Sequence, residues 1–175
     1  MTRWPFFAPL VVLGALAVLF AAFALKHDPH VQPHALVGKP LPDVSLPILG
    51  GVEPRSLRAA AARGPFLVNV FASWCAPCEL EAPVLNGLRA RGVRMIGVAY
   101  KDAPEKTQGF LGRLGDPFEQ SLVDRDGRAG IELGVTGVPE TYLVDGAGVI
   151  RAKHTGPLTE ADARDLESQL AKLAR

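Results

Sequence analysis

The chain has 175 residues, 48% of them hydrophobic and 21% charged, enough for one globular domain with an appendage. Its 19 basic and 18 acidic residues nearly cancel, and no basic stripe interleaved with aromatics occurs. The electrostatic attraction that nucleic-acid binding relies on is therefore missing, and no nucleic-acid partner is expected.

Residues 1–25 read as an N-terminal signal anchor. Phe6 to Leu25 carries no charged residue and roughly matches the ~20 apolar residues that cross a bilayer as a transmembrane helix. Arg3 precedes the run and Lys26-His27-Asp28 closes it. A cleavable signal peptide stays open as the rival reading, because Ala22-Phe23-Ala24 resembles a processing site, although such peptides usually have an apolar core of only ~7–15 residues. Arg3 and the α-amino group favour a cytoplasmic N-terminus, with Lys26 and Lys39 pulling weakly the other way. Both readings send the rest of the chain through the membrane.

Residues 26–38 form a linker, with Pro29, Pro33 and no hydrophobic periodicity. His27, His30 and His34 would share a face only on a helix, which the two prolines oppose, and no cysteine or carboxylate cluster completes a ligand set. Neither a metal nor a cofactor is expected.

Residues 39–175 form the folded domain, in which strand and helix patterns alternate. Phe66 to Ala72 is a short apolar run with β-branched members, as in a strand buried on both faces. A helix follows from about Pro77 to Arg91, with Leu80, Val84, Leu85 and Leu88 as its apolar face, a kink at Pro83 and Gly92 as its stop. Val93 to Tyr100 is the next strand, and the strand–helix–strand order implies a parallel pair. Glu105 to Leu114 reads as a helix stopped by Gly115, and Phe118 to Val123 as a weak strand ending in the Asp124-Arg125-Asp126-Gly127 turn. Tyr142–Val144 and Val149–Ala152 flank Asp145-Gly146-Ala147-Gly148, a hairpin signature. Thr159 caps a last helix with Asp162 at its third position, placing Leu166, Leu170 and Leu173 inward. The domain is α/β with a mixed central sheet flanked by helices.

The two cysteines, Cys75 and Cys78, stand where the buried strand meets a helix start. A thiolate there is stabilised by free N–H groups and the positive end of the helix dipole, so Cys75 reads as the exposed nucleophile and Cys78 as the resolving thiol. A half zinc site lacks a second ligand pair. A static disulfide closing so short a loop would remove little chain entropy. Redox chemistry fits spacing, position and the exported compartment. Acidic residues near Cys75 would disfavour its thiolate and suit a reductant.

Trp74-Cys75-Ala76-Pro77-Cys78, the later Gly137-Val138-Pro139 and the order of elements resemble the thioredoxin superfamily over about Leu36 to Leu173. Gly134-Val135-Thr136-Gly137-Val138-Pro139-Glu140-Thr141, Asn69 before the cysteines, Glu81 after them, Gly115-Asp116-Pro117-Phe118 and the N-terminal anchor resemble its CcmG/DsbE branch of cytochrome c biogenesis. The resemblance implies a thioredoxin fold with a central insertion and a single-pass protein of the bacterial inner membrane with its catalytic domain in the periplasm. It implies that Cys75 and Cys78 reduce the haem-site disulfide of apocytochrome c, or a mixed disulfide with its maturation partner, and are re-reduced by a membrane electron donor of the CcdA or DsbD type. A general anchored reductase of TlpA type and a copper-binding metallochaperone are the alternatives.

The resemblance bears on Asn69, Glu81 and Pro139, and sequence position on Trp74 and Glu140. Asn69 stands where thioredoxin carries a buried acid, so Glu81, three residues beyond Cys78, becomes the expected proton acceptor; a solvated helix carboxylate is the plainer reading. Pro139 is expected to be cis, freeing the Val138 backbone to pair with a client strand. Trp74 is either a lid on the disulfide or a packing residue. Glu140 either faces the active site or is an edge-strand charge.

Overall fold

The computed structural model describes residues 8–26, 36–51 and 53–174. It divides into two compact units, Met1–Gln32 and Pro33–Arg175. In the first, helix α1 spans Ala8–Lys26. Its continuously described side chains run only from 9 to 20, all exposed, and among the described residues no helix is long and apolar enough to cross a membrane. Arg3 and the three linker histidines lie outside the described residues.

The second unit is built on five strands in the order β5-β4-β3-β6-β7. They are β3 (Phe66–Phe71), β4 (Met95–Tyr100), β5 (Gln120–Asp124), β6 (Glu140–Val144) and β7 (Ile150–Thr155). β3, β4 and β5 run parallel, whereas β6 is antiparallel to β3 and β7 to β6. A separate short hairpin, β1 (Ser45–Pro47) with β2 (Pro54–Ser56), precedes them. The expected hairpin forms between β6 and β7, where Asp145 Oδ1 accepts the N–H groups of Ala147 and Val149, both at 2.9 Å.

β3 is buried at all six positions, as its apolar sequence requires. Its period of two then sorts the core. Leu67 and Phe71 pack on one face with residues of α2 (Ala76–Ala90), α3 (Pro104–Leu114) and α5 (Glu160–Leu173). Phe66, Val68 and Val70 pack on the other with Leu41, Leu57, Tyr142 and Leu133, the residue after α4 (Arg128–Glu132). Asn69, between Leu67 and Phe71, therefore belongs to the α2 face.

The capping box at Thr159 is present: its hydroxyl accepts the Asp162 N–H at 3.3 Å, and Asp162 Oδ2 accepts the Thr159 N–H at 2.9 Å. Leu166 is buried, with Leu170 and Leu173 packed at the core margin. One expectation for α2 is overturned. Leu80 is 76% exposed, because the inward face is set by Cys78, Glu81, Ala82, Leu85 and Leu88, and position 80 lies about 200° around the helix from Cys78. Gly115 to Phe118, expected within a central insertion, joins α3 to the parallel strand β5; the short α4 that follows was not anticipated.

Candidate active site

β3 carries the chain directly to the cysteines. Ala72 O accepts the Cys75 N–H at 3.2 Å, and Cys75 becomes the N-cap of α2 in an extended conformation. Pro77 in the first turn has no N–H to satisfy and a φ already suited to a helix. Cys75 and Cys78 form a disulfide, their Cα atoms 5.3 Å apart. The Cys78 N–H approaches both Cys75 Sγ (3.2 Å) and Cys75 O (3.1 Å). A negative charge developing on Cys75 Sγ thus already faces a helix N–H. In this oxidised state Cys75 is as covered as Cys78, at 4% and 2% exposed, so the cysteine expected to be exposed is buried.

Asp102 fixes the approach loop. Its carboxylate accepts Ser73 N–H at 2.7 Å, Ser73 Oγ–H at 2.8 Å, Thr107 Oγ1–H at 3.0 Å and its neighbour's Ala103 N–H at 2.9 Å. Trp74 is not a core residue: it is 59% exposed, with its indole N–H reaching Lys101 O at 3.3 Å. The Val138–Pro139 bond is cis. Val138 O lies 3.5 Å from Cys75 Sγ, a contact in the disulfide and a hydrogen-bond acceptor for a Cys75 thiol. Pro139 is buried and Val138 half-buried.

Glu81 is completely buried beneath the disulfide-bearing turn. Oε2 accepts the Leu158 N–H and Oε1 the Asn69 Nδ2–H, each at 3.0 Å. Burial pushes its carboxyl up to about 7, against the downward pull of those two donors. No cation faces it in the described structure; both donors are neutral. Asn69 Nδ2 also donates to Thr141 Oγ1 at 3.1 Å, while Asn69 Oδ1 is buried without a partner. Asn69, Cys78 and Glu81 line one small cavity with Phe71, Leu85 and Phe110. The acid, the resolving cysteine and the leftover acceptor are thereby brought together. Glu79, the other nearby carboxylate, is half-exposed and bonded to Arg113 at 2.7 Å. That hydrogen bond and charge hold its carboxyl below the usual range, so it is ionised and paired.

Glu140 is placed differently from expectation. Strand alternation puts Thr141 on the α2 face, where it meets Asn69, and sends Glu140 and Tyr142 to the opposite face. Glu140 is fully buried in β6, an inner strand, so it neither faces the active site nor guards an edge. Thr136 N–H and Oγ1–H donate to Oε1 at 3.1 and 2.7 Å, and Lys153 Nζ lies 3.0 Å from Oε2. The Tyr142 hydroxyl is within reach of Glu140 Oε2 (2.7 Å) and Leu133 O (3.0 Å), donating its one proton to either. Burial, then the Glu140 carboxylate, push that phenol far above its ordinary range.

Sequence reasoning missed Asp102, Lys153 and the Leu158 N–H. Asp102 had a signal, an acid just past a strand end beside the cysteine loop. Lys153 read as one more polar strand residue, and a backbone donor 77 residues from Glu81 has no sequence signature. Among the described residues no three His, Cys, Asp or Glu side chains cluster as a metal site.

The Redoxin family matches residues 36–170. Thiol:disulfide interchange protein HelX of Rhodobacter capsulatus is 44% identical over 158 residues, covering 88% of each chain. Thiol:disulfide interchange protein DsbE of Escherichia coli K12 is 40% identical over 163 residues, covering 90% of this chain and 88% of that protein. Among solved structures, a putative thiol:disulfide interchange protein DsbE from Chlorobium tepidum superposes with a TM-score of 0.69 at 25% identity, covering 79% of this chain and 98% of the other.

Proposed function

The chain belongs to the Redoxin family, among the thiol:disulfide interchange proteins of the DsbE/CcmG type, and from that membership we propose that it is a dedicated reductant in cytochrome c maturation. Thiol:disulfide exchange at Cys75 and Cys78 is its activity. The proposal concerns direction, client and place: reduction of the Cys-x-x-Cys-His disulfide of apocytochrome c, or of a mixed disulfide with its maturation partner, on the periplasmic side of the inner membrane. Residues 1–25 serve as the anchor and 26–38 as the tether. A membrane electron donor of the CcdA or DsbD type restores the dithiol.

The observation that carries this reading is the combination at one end of the sheet: a helix-capping disulfide, a cis proline beside it and a buried, uncompensated carboxyl behind it. In the reduced protein the Cys75 thiolate attacks one client sulfur. A Cys75–client disulfide forms and the other client sulfur leaves as a thiolate. Glu81 accepts the Cys78 proton, and the Cys78 thiolate attacks Cys75 Sγ. The Cys75–Cys78 disulfide reforms and the second client thiolate leaves. Two electrons pass to the client, whose thiolates take up two protons. The Val138 backbone pairs with the client strand and exposed Trp74 covers its apolar side.

The test is to trap the client. Cys78→Ser keeps the attacking sulfur and loses the resolving one, so a mixed disulfide accumulates. Mass spectrometry of adducts from cells making c-type cytochromes is expected to find an apocytochrome or its maturation partner. A spread of unrelated exported proteins would replace this client with a general TlpA-like role. No adduct from a folded variant would overturn Cys75 attack itself.

A further inference from the structure

Lysine is rarely buried unless paired, and an edge strand is the usual place for an exposed one. Lys153 lies on the edge strand β7, yet its side chain is only 3% exposed. The register explains how it is covered. Lys153 pairs directly with Tyr142 across β6–β7, its Nζ 5.3 Å from the Tyr142 ring centre, and Glu140 follows on the same face two residues away. From there Nζ reaches Gly134 O at 3.0 Å and Glu140 Oε2 at 3.0 Å.

Each of these groups grips the segment leading to the cis proline. Lys153 holds Gly134 O, Tyr142 reaches Leu133 O, and Glu140 holds both N–H and hydroxyl of Thr136. Gly156 N–H fixes Pro139 O at 2.9 Å from the β7 side. Between the last two anchors lie Gly137, exposed, and Val138, whose carbonyl sits 3.5 Å from Cys75 Sγ.

We infer that Lys153 is a positioning residue for client binding: through Glu140, Tyr142 and the Gly134 carbonyl it clamps residues 133–136 from the sheet face opposite the disulfide, and so sets where Val138 meets a client backbone. The inference rests on the proposed client contact at Val138. It separates two kinds of substrate. A protein disulfide must dock along the cis-proline segment, whereas a small aromatic disulfide needs only the sulfur of Cys75. Loosening the clamp weakens the first reaction and leaves the second unchanged.

The experiment uses the full-length chain with Lys153→Met, Tyr142→Phe and the double variant Glu140→Gln/Lys153→Met. Insulin is the protein disulfide, followed in steady state with dithiothreitol restoring the dithiol, and 5,5′-dithiobis(2-nitrobenzoate) is the small one, followed by stopped flow with the reduced protein. Lys153→Met removes a charge-assisted bond and is expected to raise KM for insulin about tenfold, with the small-disulfide rate within about twofold of the parent chain. Tyr142→Phe is expected to raise the same KM about threefold, on the neutral hydrogen-bond scale. The double variant removes the uncompensated buried carboxylate, so thermal stability recovers while KM stays high, because Gly134 O still lacks its donor. A KM that recovers along with stability, or that no variant raises, overturns the positioning role. So does an equal loss toward both substrates. If Lys153→Met does not fold, Tyr142→Phe and the double variant carry the same two outcomes. The insulin comparison is independent of the natural client, so failure of the apocytochrome assignment and failure of the clamp are read separately.

Discussion

Two glutamates lie fully buried on opposite faces of one sheet, and their partners give them opposite work. Glu81, on the inward side of α2, meets only the neutral donors Asn69 and Leu158, so burial raises its carboxyl to about 7. Glu140, on the far face, meets the ammonium of Lys153 together with Thr136 and Tyr142. A buried carboxyl without a cation can hold and release a proton near neutral pH, which suits exchange at Cys78. One paired with a buried cation is a fixed joint whose removal exposes an uncompensated charge. Burial alone does not make an acid functional in the proton-transfer sense; the sign of its neighbours does.

The largest effect tests the chemistry both faces serve. Cys75→Ser is expected to reduce insulin reduction to the uncatalysed background, since Cys78 alone has no second thiol with which to complete the exchange. Measurable turnover in that variant would sink the dithiol mechanism. Glu81→Gln comes next: turnover at pH 7 is expected to fall on the order of 10²-fold, with little change in midpoint potential. The parent's rise in rate with pH through about 7 should vanish. Stopped-flow profiles that coincide for the two proteins would make Glu81 a passive core residue.

The same acid marks the stability curve. Its folded value of about 7 lies above the ordinary carboxyl value of 4.5, so between those limits the folded state binds more protons than the unfolded. The Glu81 contribution to stability is then most favourable below about pH 4.5, falls as pH rises toward 7, and is fully unfavourable above it. For the oxidised protein this loss amounts to about 2–3 kcal/mol between pH 5 and pH 8. Urea titrations should show this loss in the parent chain and not in Glu81→Gln. Equal pH slopes would mean that Glu81 does not titrate in that window. Smallest of all, Asn69→Ala removes one donor to the Glu81 carboxylate and should move the rate inflection further up in pH; a downward move would mean that Asn69 does not stabilise the charged form.

Much of the α2 face was legible in sequence, because its cues are local. A buried strand running into Cys75, a proline in the first helical turn, and an acid one turn beyond Cys78 all lie within 16 residues of one another, Phe66 to Glu81. The Thr159–Asp162 cap was legible for the same reason. The far face was not. Which way Glu140 points depends on where β6 begins and on its register with β3, and a strand read from Tyr142 onward leaves that direction open. Lys153 meets Tyr142 only through the β6–β7 pairing. The β1–β2 hairpin and α4 are short and held by tertiary contacts, and Leu80 shows that a hydrophobic residue at helical spacing need not face inward when the helix orientation is set by other side chains.

The central claim is that Glu81, rather than an ordinary surface acid, holds the proton that Cys78 gives up. Its carboxyl can be followed directly in the oxidised protein, where the cysteines do not titrate, by carbon-13 NMR of glutamate side-chain carboxyls across pH 3 to 9, with Glu81→Gln identifying the resonance. The account predicts a midpoint near 7 for the signal that disappears in the variant. A midpoint near the usual 4.5 would contradict it.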